Sequence, residues 1–381
     1  MPKNIIFCAD GTWNGPDQDD NEDQQPDVTN VYKLFMCLAG VNDVASQSLE
    51  NEQEKRQLKN GIVVQVSKYI HGVGDGKNPI NKLVGGVFGA GIIKRIVRGY
   101  TFISREYEPG DRIVLVGFSR GAYTVRALAG MITEQGLLVK PLTTDKEDAY
   151  KWGARAWYYY HKDSGQGHWW TRLAGGISDL PGFLSQRLIK PSDFVSVEHI
   201  KAVAVWDTVG ALGIPRYKKD HRADVFEFAD TQLSEKVEQG IHAVSLDERR
   251  GDFTPTLWDQ AANVKQMLFS GAHADVGGGY PTTNNESGLS DIALLWMIEQ
   301  LKALNLAFDS ANCPPTSPNS AGCSHKPWQH IPFKHGVKIV RNFAGKGLSI
   351  HDSIAQRIQS SPVVQEPGEA PAPYQPENLP H

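Results

Sequence analysis

Between an apolar run, Asp111-Arg112-Ile113-Val114-Leu115-Val116, and a helix-forming stretch, Ala122-Tyr123-Thr124-Val125-Arg126-Ala127-Leu128, lies the pentapeptide Gly117-Phe118-Ser119-Arg120-Gly121. A bare GxSxG is common. A strand entering it and a helix leaving it make it a sharp turn that holds a serine hydroxyl above the end of a sheet. The two glycines leave room for the strained backbone, and the N-terminus of the following helix turns N–H groups toward developing negative charge. The pentapeptide therefore demands a strand–turn–helix frame.

The rest of the chain supplies that frame. Short β-branched runs at Ile5–Ala9, Ile62–Val66, Ile113–Val116, Ile200–Val205, Val264–Phe269 and Val337–Val340 read as strands of a parallel sheet covered on both faces. Helical patterns fall between them at Thr29–Leu38, Gly91–Tyr107, Gly121–Glu134, Thr231–Val244 and Ser290–Leu304, the last with Ser290 as a plausible N-cap. The expected fold class is α/β, α/β-hydrolase-like, with a mostly parallel central sheet and helices on both faces. We expect one catalytic domain over residues 1–360, with surface insertions at about 16–28, 41–60, 151–190 and 308–330. A tail over 361–381, with six prolines, packs only where Tyr374 and Leu379 find pockets.

Whole classes of function drop out on composition. Lys and Arg number 39 against 43 Asp and Glu, so the chain lacks the basic excess of a nucleic-acid binder. The longest nearly apolar stretch, Leu83–Ile93, has 11 residues, against about 20 for a membrane-spanning helix. Its N-terminus turns polar at Asp10 without the apolar core of a Sec signal, so the expected location as synthesised is cytoplasmic. Four cysteines in 381 residues make no disulfide scaffold, and Cys313 and Cys323, with His325 nearby, read as free thiols rather than as a bridge or a metal site. Six acids between Pro16 and Asp27 lack the glycine of a calcium loop and read as a solvated excursion, as does the charged stretch Ser46–Asn60.

Reactive side chains fall where a parallel sheet presents its ligands. Asp10, His71, Ser119, Asp207 and His273 each follow a candidate strand, and open α/β sheets bind ligands at those carboxyl ends. A serine needs a base to take its proton, and the base needs an orienting carboxylate. In α/β hydrolases the order along the chain is serine, acid, histidine, which Ser119, Asp207 in VWDTVG and His273 in the glycine-rich FSGAHADVGGGY satisfy. His351 satisfies the order too, so order alone leaves both histidines open as the base. Oxyanion N–H donors are expected from Arg120 and from Gly11 or Thr12, because Gly11 lets the backbone approach closely. Asp10 can fix that loop, polarise a neighbour or hold a cation, and Asp275 has the same range of roles.

Two further stretches stand out. Gly85, Gly86, Gly89 and Gly91 follow GGxxGxG rather than GxGxxG, which argues against a phosphate cradle. Residues 151–170 hold seven aromatics interleaved with Lys151, Arg155 and Lys162. This pattern suits either an ordinary core-packed helix or a lipid-docking flap presenting Trp152, Trp157, Tyr158, Trp169 and Trp170.

Ordered strings along nearly the whole chain, ADGTWN, TNVYKLF, YIHGVGDG, GGVFGAG, GFSRGAYTVRALAGMI, VWDTVGALG, HAVSLDERR, FSGAHADVGGGY, LSDIALLWM, IHDS and YQPENLP, resemble the type VI secretion phospholipase (lipase) effector catalytic-domain family. That resemblance implies an α/β hydrolase with a Ser-Asp-His triad at Ser119, Asp207 and His273, favouring His273 over His351, and phospholipid acyl esters as substrate. It also implies an antibacterial role, export by a signal-independent route, and a secretion-system or immunity partner. Such chemistry requires no metal or organic cofactor. The alternatives are an esterase or thioesterase on a soluble substrate and a non-catalytic binding module on the same fold.

Overall fold

In the central strands successive side chains alternate between two buried layers, which is what fixes a sheet covered on both sides. The computed structural model describes residues 2–11, 27–47, 52–72, 87–162, 189–210 and 231–380. In chain order its elements begin with β1 (Asn4–Ala9), α1 (Asn30–Cys37), β2 (Val41–Asn42), α2 (Val44–Gln47), β3 (Glu52–Lys59), β4 (Ile62–Ile70) and α3 (Val87–Glu106). There follow β5 (Arg112–Phe118), α4 (Arg120–Gln135), β6 (Leu137–Leu138), α5 (Lys146–Lys162), β7 (Phe194–Val195), β8 (Ala202–Trp206) and β9 (Gly240–Ser245). The last are β10 (Val264–Phe269), α6 (His273–Gly277), α7 (Gly288–Ala303), β11 (Ser349–Ile350) and α8 (Asp352–Gln359).

Nine strands form one sheet in the order β11-β10-β9-β8-β5-β1-β4-β3-β2, while β6 and β7 pair separately. All neighbours from β11 to β4 run parallel, and β3 and β2 close one edge antiparallel, so the protein is α/β with a mostly parallel sheet. Ile5, Phe7, Ile113, Leu115, Val203 and Val205 meet α3, α4 and α5 on one face. Their chain neighbours Ile6, Cys8, Val114, Val116, Ala204 and Trp206 meet α1 and α7 on the other. Among the described residues no helix is long and apolar enough to cross a membrane.

Several sequence expectations need correction. The last five residues of the expected helix Thr231–Val244 belong to strand β9, which runs to Ser245 and pairs with β8 and β10 over a register that buries all six of its residues. Partners on both sides outweigh local helix preference there, and Gly240 is itself a poor interior helix residue. Val337–Val340 is not a sheet strand; Lys338 makes one isolated bridge to Arg250, and the sheet edge is supplied by Ser349–Ile350 instead. The charged Ser46–Asn60 excursion contains β3, the second strand from the sheet edge, whose Glu54 pairs with Lys68 and Arg105. Beyond it β2 covers only Lys55 and Arg56, and charged side chains suit a strand whose remaining length must not pair with another chain. Ser287, not Ser290, holds the N-cap position of helix α7, without a side-chain capping bond, and Ser290 lies within the first turn, where its hydroxyl donates to Ser287 O at 2.9 Å. Cys37 and Cys313 form a disulfide across 276 residues, leaving Cys8 and Cys323 as buried free thiols. Cys37 sits on α1 and Cys313 in the loop packed beside it, a proximity that chain spacing does not reveal.

The tail finds its pockets. Tyr374 is buried and its hydroxyl donates to Asp247 at 2.8 Å, and Leu379 packs on the small apolar cluster around Leu268 and Phe343.

Helix α5 carries the aromatic stretch, and its rings are mostly turned inward. Trp157 is 5% exposed within the core, Trp152 packs against the same cluster with the Arg155 guanidinium 4.6 Å above its ring, and only Tyr158 reaches 37% exposure. Trp169 and Trp170 lie outside the described residues. The burial of Trp157 and the packing of the half-buried Trp152 on the same cluster favour the core-packed reading of this stretch over the docking flap. Trp157→Ala should destabilise the protein by about 3–5 kcal/mol in chemical denaturation, whereas Tyr158→Ala should change it by about 0.5 kcal/mol or less. A Trp157→Ala protein as stable as wild type would contradict this packing.

Candidate active site

Ser119 stands at the turn between β5 and α4 with φ 57° and ψ −121°, a conformation that costs a non-glycine residue about 1–3 kcal/mol and persists only where its surroundings enforce it. Here its N–H donates to Trp206 O at 3.1 Å and its carbonyl accepts from Tyr123 N–H at 3.2 Å. A side chain on Gly121 would strike the Ala9 and Asp10 carbonyls, and one on Gly117 would strike the backbone of Gly121. Both glycines of the pentapeptide are thus required by close backbone approach.

Three residues from three strand ends meet in one hydrogen-bonded chain. The Ser119 hydroxyl lies 2.8 Å from His273 Nε2, and His273 Nδ1 lies 2.5 Å from Asp207 Oδ2. The carboxylate beside Nδ1 selects the tautomer with its proton there, leaving Nε2 to accept. Asp207 follows β8 with φ 33°, and its N–H donates to Ala243 O at 2.8 Å. His273 opens α6, its N–H donating to Glu248 Oε2 at 3.2 Å. Its ring lies between Phe118, at 4.5 Å between centroids, and Phe253, at 5.0 Å. Gly277 gives Phe118 that position, because any Cβ there would collide with the ring.

Asp207 is wholly buried, and an isolated buried carboxylate would be costly. Arg341 offsets that cost with a two-pronged contact, Nη1 to Oδ1 at 2.7 Å and Nη2 to Oδ2 at 2.9 Å, while its guanidinium also donates to Ser245 O and Phe253 O. Ser245 N–H adds a third donor to Oδ1 at 3.0 Å. Burial raises the carboxyl pKa, but the Arg341 charge and the His273 contact prevail and hold it well below the ordinary aspartate range. Burial pushes the His273 imidazole below its usual value, with Asp207 pulling the other way.

The remaining sequence candidates take structural positions. Asp10 is buried and accepts from the Thr29 hydroxyl at 2.8 Å, the Tyr69 hydroxyl at 2.7 Å and Gly11 N–H at 2.7 Å. It thus ties the end of β1 to β4 and to the N-cap of α1, and burial pushes its carboxyl up to about 6. Gly11 N–H, expected as an oxyanion donor, is already engaged by that neighbouring carboxylate, and Thr12 lies outside the described residues. Arg120, also buried, opens α4, its guanidinium lowered to about 9 by burial. Asp275 accepts from Ala272 N–H at 2.8 Å and from both His325 N–H, at 3.0 Å, and Nδ1, at 2.6 Å. It fixes the start of α6 rather than touching Ser119. His351 caps α8 through Ser353 and stacks on Phe269 at 4.6 Å, which places it in packing and not in the Ser119 chain. Sequence reasoning missed Arg341, Glu248 and Phe253. Arg341 lies 134 residues from Asp207, beside a run that reads as a strand, and no local pattern distinguishes it from the other cations.

A mostly parallel sheet with a strained serine between strand and helix defines a protein of the α/β-hydrolase class. Residues 3–300 match the family described as "T6SS, Phospholipase effector Tle1-like, catalytic domain", and the chain belongs to that family. An uncharacterized protein of Saccharomyces cerevisiae is 32% identical over 251 residues, 66% of this chain and 32% of the yeast protein. The crystal structure of an uncharacterized protein from Pseudomonas aeruginosa aligns at 17% identity and TM-score 0.46, covering 81% of this chain and 46% of that one. The structure of the Tle1 effector bound to the VgrG spike of the type 6 secretion system aligns at 17% identity and TM-score 0.39, covering 74% and 52%. The chain spans 32% of the yeast relative and 46% and 52% of the two solved chains.

Arg341 and His273 share one anion, so removing the first should strengthen the hold of the second on its proton. We expect the His273 imidazole, followed by NMR, to titrate below about 6.5 in the wild type and to shift upward in Arg341→Met. Loss of one partner from a buried ion pair costs about 3–5 kcal/mol, so Arg341→Lys, which keeps the charge, serves as the folded control and should leave the midpoint near wild type. An unchanged midpoint in folded Arg341→Met would make Arg341 a packing residue only.

Proposed function

We propose that this chain is a serine hydrolase of carboxylic esters whose substrates are phospholipid acyl esters. The observation that carries the reading is the continuous chain from the Ser119 hydroxyl through His273 to the buried Asp207 carboxylate. In this account Ser119 Oγ attacks the acyl carbonyl as His273 Nε2 takes its proton. Asp207 holds the imidazole in orientation and stabilises the imidazolium. The charge on the carbonyl oxygen develops beside the first turn of α4, where the Arg120 N–H is the donor the fold offers. His273 then returns the proton to the departing alcohol oxygen, leaving an acyl group on Ser119. Water, deprotonated by the same nitrogen, releases the fatty acid and restores the serine.

The site geometry supports the ester class, and membership in the phospholipase-effector family supports a lipid substrate. The type VI secretion assignment of that family also supports export through such a system, with a secretion-system component as partner. The test uses wild type and Ser119→Ala on vesicles whose phospholipids carry distinguishable acyl chains, with products identified by mass spectrometry. Wild type should release fatty acid, and Ser119→Ala should lose activity by a factor on the order of 10⁶. Retained lipid hydrolysis by Ser119→Ala with native circular dichroism would overturn the reading. Because the base must be neutral to act, the acid limb of kcat/KM should fall below about pH 6.5, the ordinary histidine value, as the lowered His273 value requires.

A further inference from the structure

Beside the Ser119–His273 chain one surface segment leaves several aliphatic side chains largely exposed. Ile331 is 80% exposed, Val337 69%, Ile339 51% and Val340 41%, all within ten residues. Scattered exposed aliphatics need no explanation, but four on one ten-residue segment are a concentration that suits an interaction surface. The same stretch has a distinct charge. No Asp or Glu occurs between Asp309 and Asp352, and these 42 residues hold four lysines and Arg341 in a chain whose formal net charge is −4. Lys334 and Lys338 are exposed among the aliphatic side chains.

This patch is coupled to the site through one layer of rings. Phe333 meets Phe253 edge to face at 5.6 Å, and Phe253 meets the His273 ring in the same way at 5.0 Å. The Arg250 guanidinium lies 4.6 Å from the Phe333 ring centre. The backbone is fastened as well, with Gly251 N–H donating to Val337 O and Ile339 N–H to Arg249 O, both at 2.8 Å. Arg341, at the end of the same segment, grips Asp207. Whatever binds Ile331–Val340 is therefore held against the side of the molecule where His273 sits.

We propose that Ile331–Val340 is the surface by which this protein seats on an anionic lipid bilayer. The aliphatic side chains enter the boundary between headgroups and acyl chains, and Lys334 and Lys338 reach lipid phosphates while their stems lie along the apolar phase. A segment of irregular backbone can enter only to headgroup depth, where water still satisfies its polar groups. The proposal rests on the phospholipid reading above. It moves the lipid contact from α5, whose Trp152 and Trp157 pack on the core, to a segment whose last four residues, Val337–Val340, the sequence reads as a strand.

The test separates docking from chemistry. Ile331→Asp/Val337→Asp and Lys334→Ala/Lys338→Ala are compared with wild type in co-sedimentation with phosphatidylglycerol-containing and pure phosphatidylcholine vesicles, each protein carrying Ser119→Ala so that the lipid survives. The same surface variants with Ser119 intact are assayed on a monomeric short-chain ester. We expect wild type to favour the anionic vesicles and the lysine variant to lose about thirty-fold of that partitioning at low salt. The aspartate variant should lose binding to both vesicle types, with short-chain turnover retained by both variants. Vesicle binding unchanged in the aspartate variant would overturn the docking surface while leaving the hydrolase standing. Binding that depends on the patch in a protein that cleaves neither lipid nor ester would do the reverse. A dimer in sedimentation velocity that Ile331→Asp/Val337→Asp dissociates, with vesicle binding unaltered, would assign the patch to a second copy of the chain and likewise overturn the proposal.

Discussion

The Asp207 carboxylate is the interaction on which the site depends. It is fully buried, and it is kept charged by donors that arrive from separate parts of the fold: His273 at the start of α6, Ser245 at the end of β9, and Arg341 from beyond the stretch that the family match covers. A buried carboxylate beside a histidine alone would face both the desolvation penalty and the tendency to take the proton itself. The Arg341 fork removes that tendency, so the anion persists while the imidazole is neutral. Some of the pull on the imidazolium is given up in exchange, and the depressed His273 value is consistent with that balance.

Everything around this carboxylate serves to bring three strand ends together. β5, β8 and β10 end on the same side of the parallel sheet, and the strands between them and beside them keep that register. The strained Ser119 turn is enforced by the Ala9 and Asp10 carbonyls packed against Gly121, and Asp10 in turn is pinned by Thr29 and Tyr69. The His273 ring rests on Phe118, which reaches it because Gly277 has no side chain.

Much of this was legible in the sequence, and the physical reason is consistent. Apolar strands buried on both faces announce themselves in composition, so β1, β4, β5, β8 and β10 and the residues at their ends could be read directly. What failed was decided by tertiary partners. β9 reads as part of a helix until β8 and β10 flank it, and Val337–Val340 reads as a strand although no strand lies beside it. The aromatic face of α5 carries no mark that says whether its rings meet lipid or core. Gly11 looks available as a donor until the neighbouring buried Asp10 carboxylate takes its N–H. Arg341 and the Cys37–Cys313 pair are long-range meetings that no local pattern encodes.

The most direct measurement is the covalent one. Intact-mass analysis and peptide mapping after treatment with a fluorophosphonate should find a single adduct on Ser119, absent from a folded His273→Ala protein because the hydroxyl then has no base. A folded wild-type chain that stays unlabelled, or one that labels equally without His273, would contradict the account.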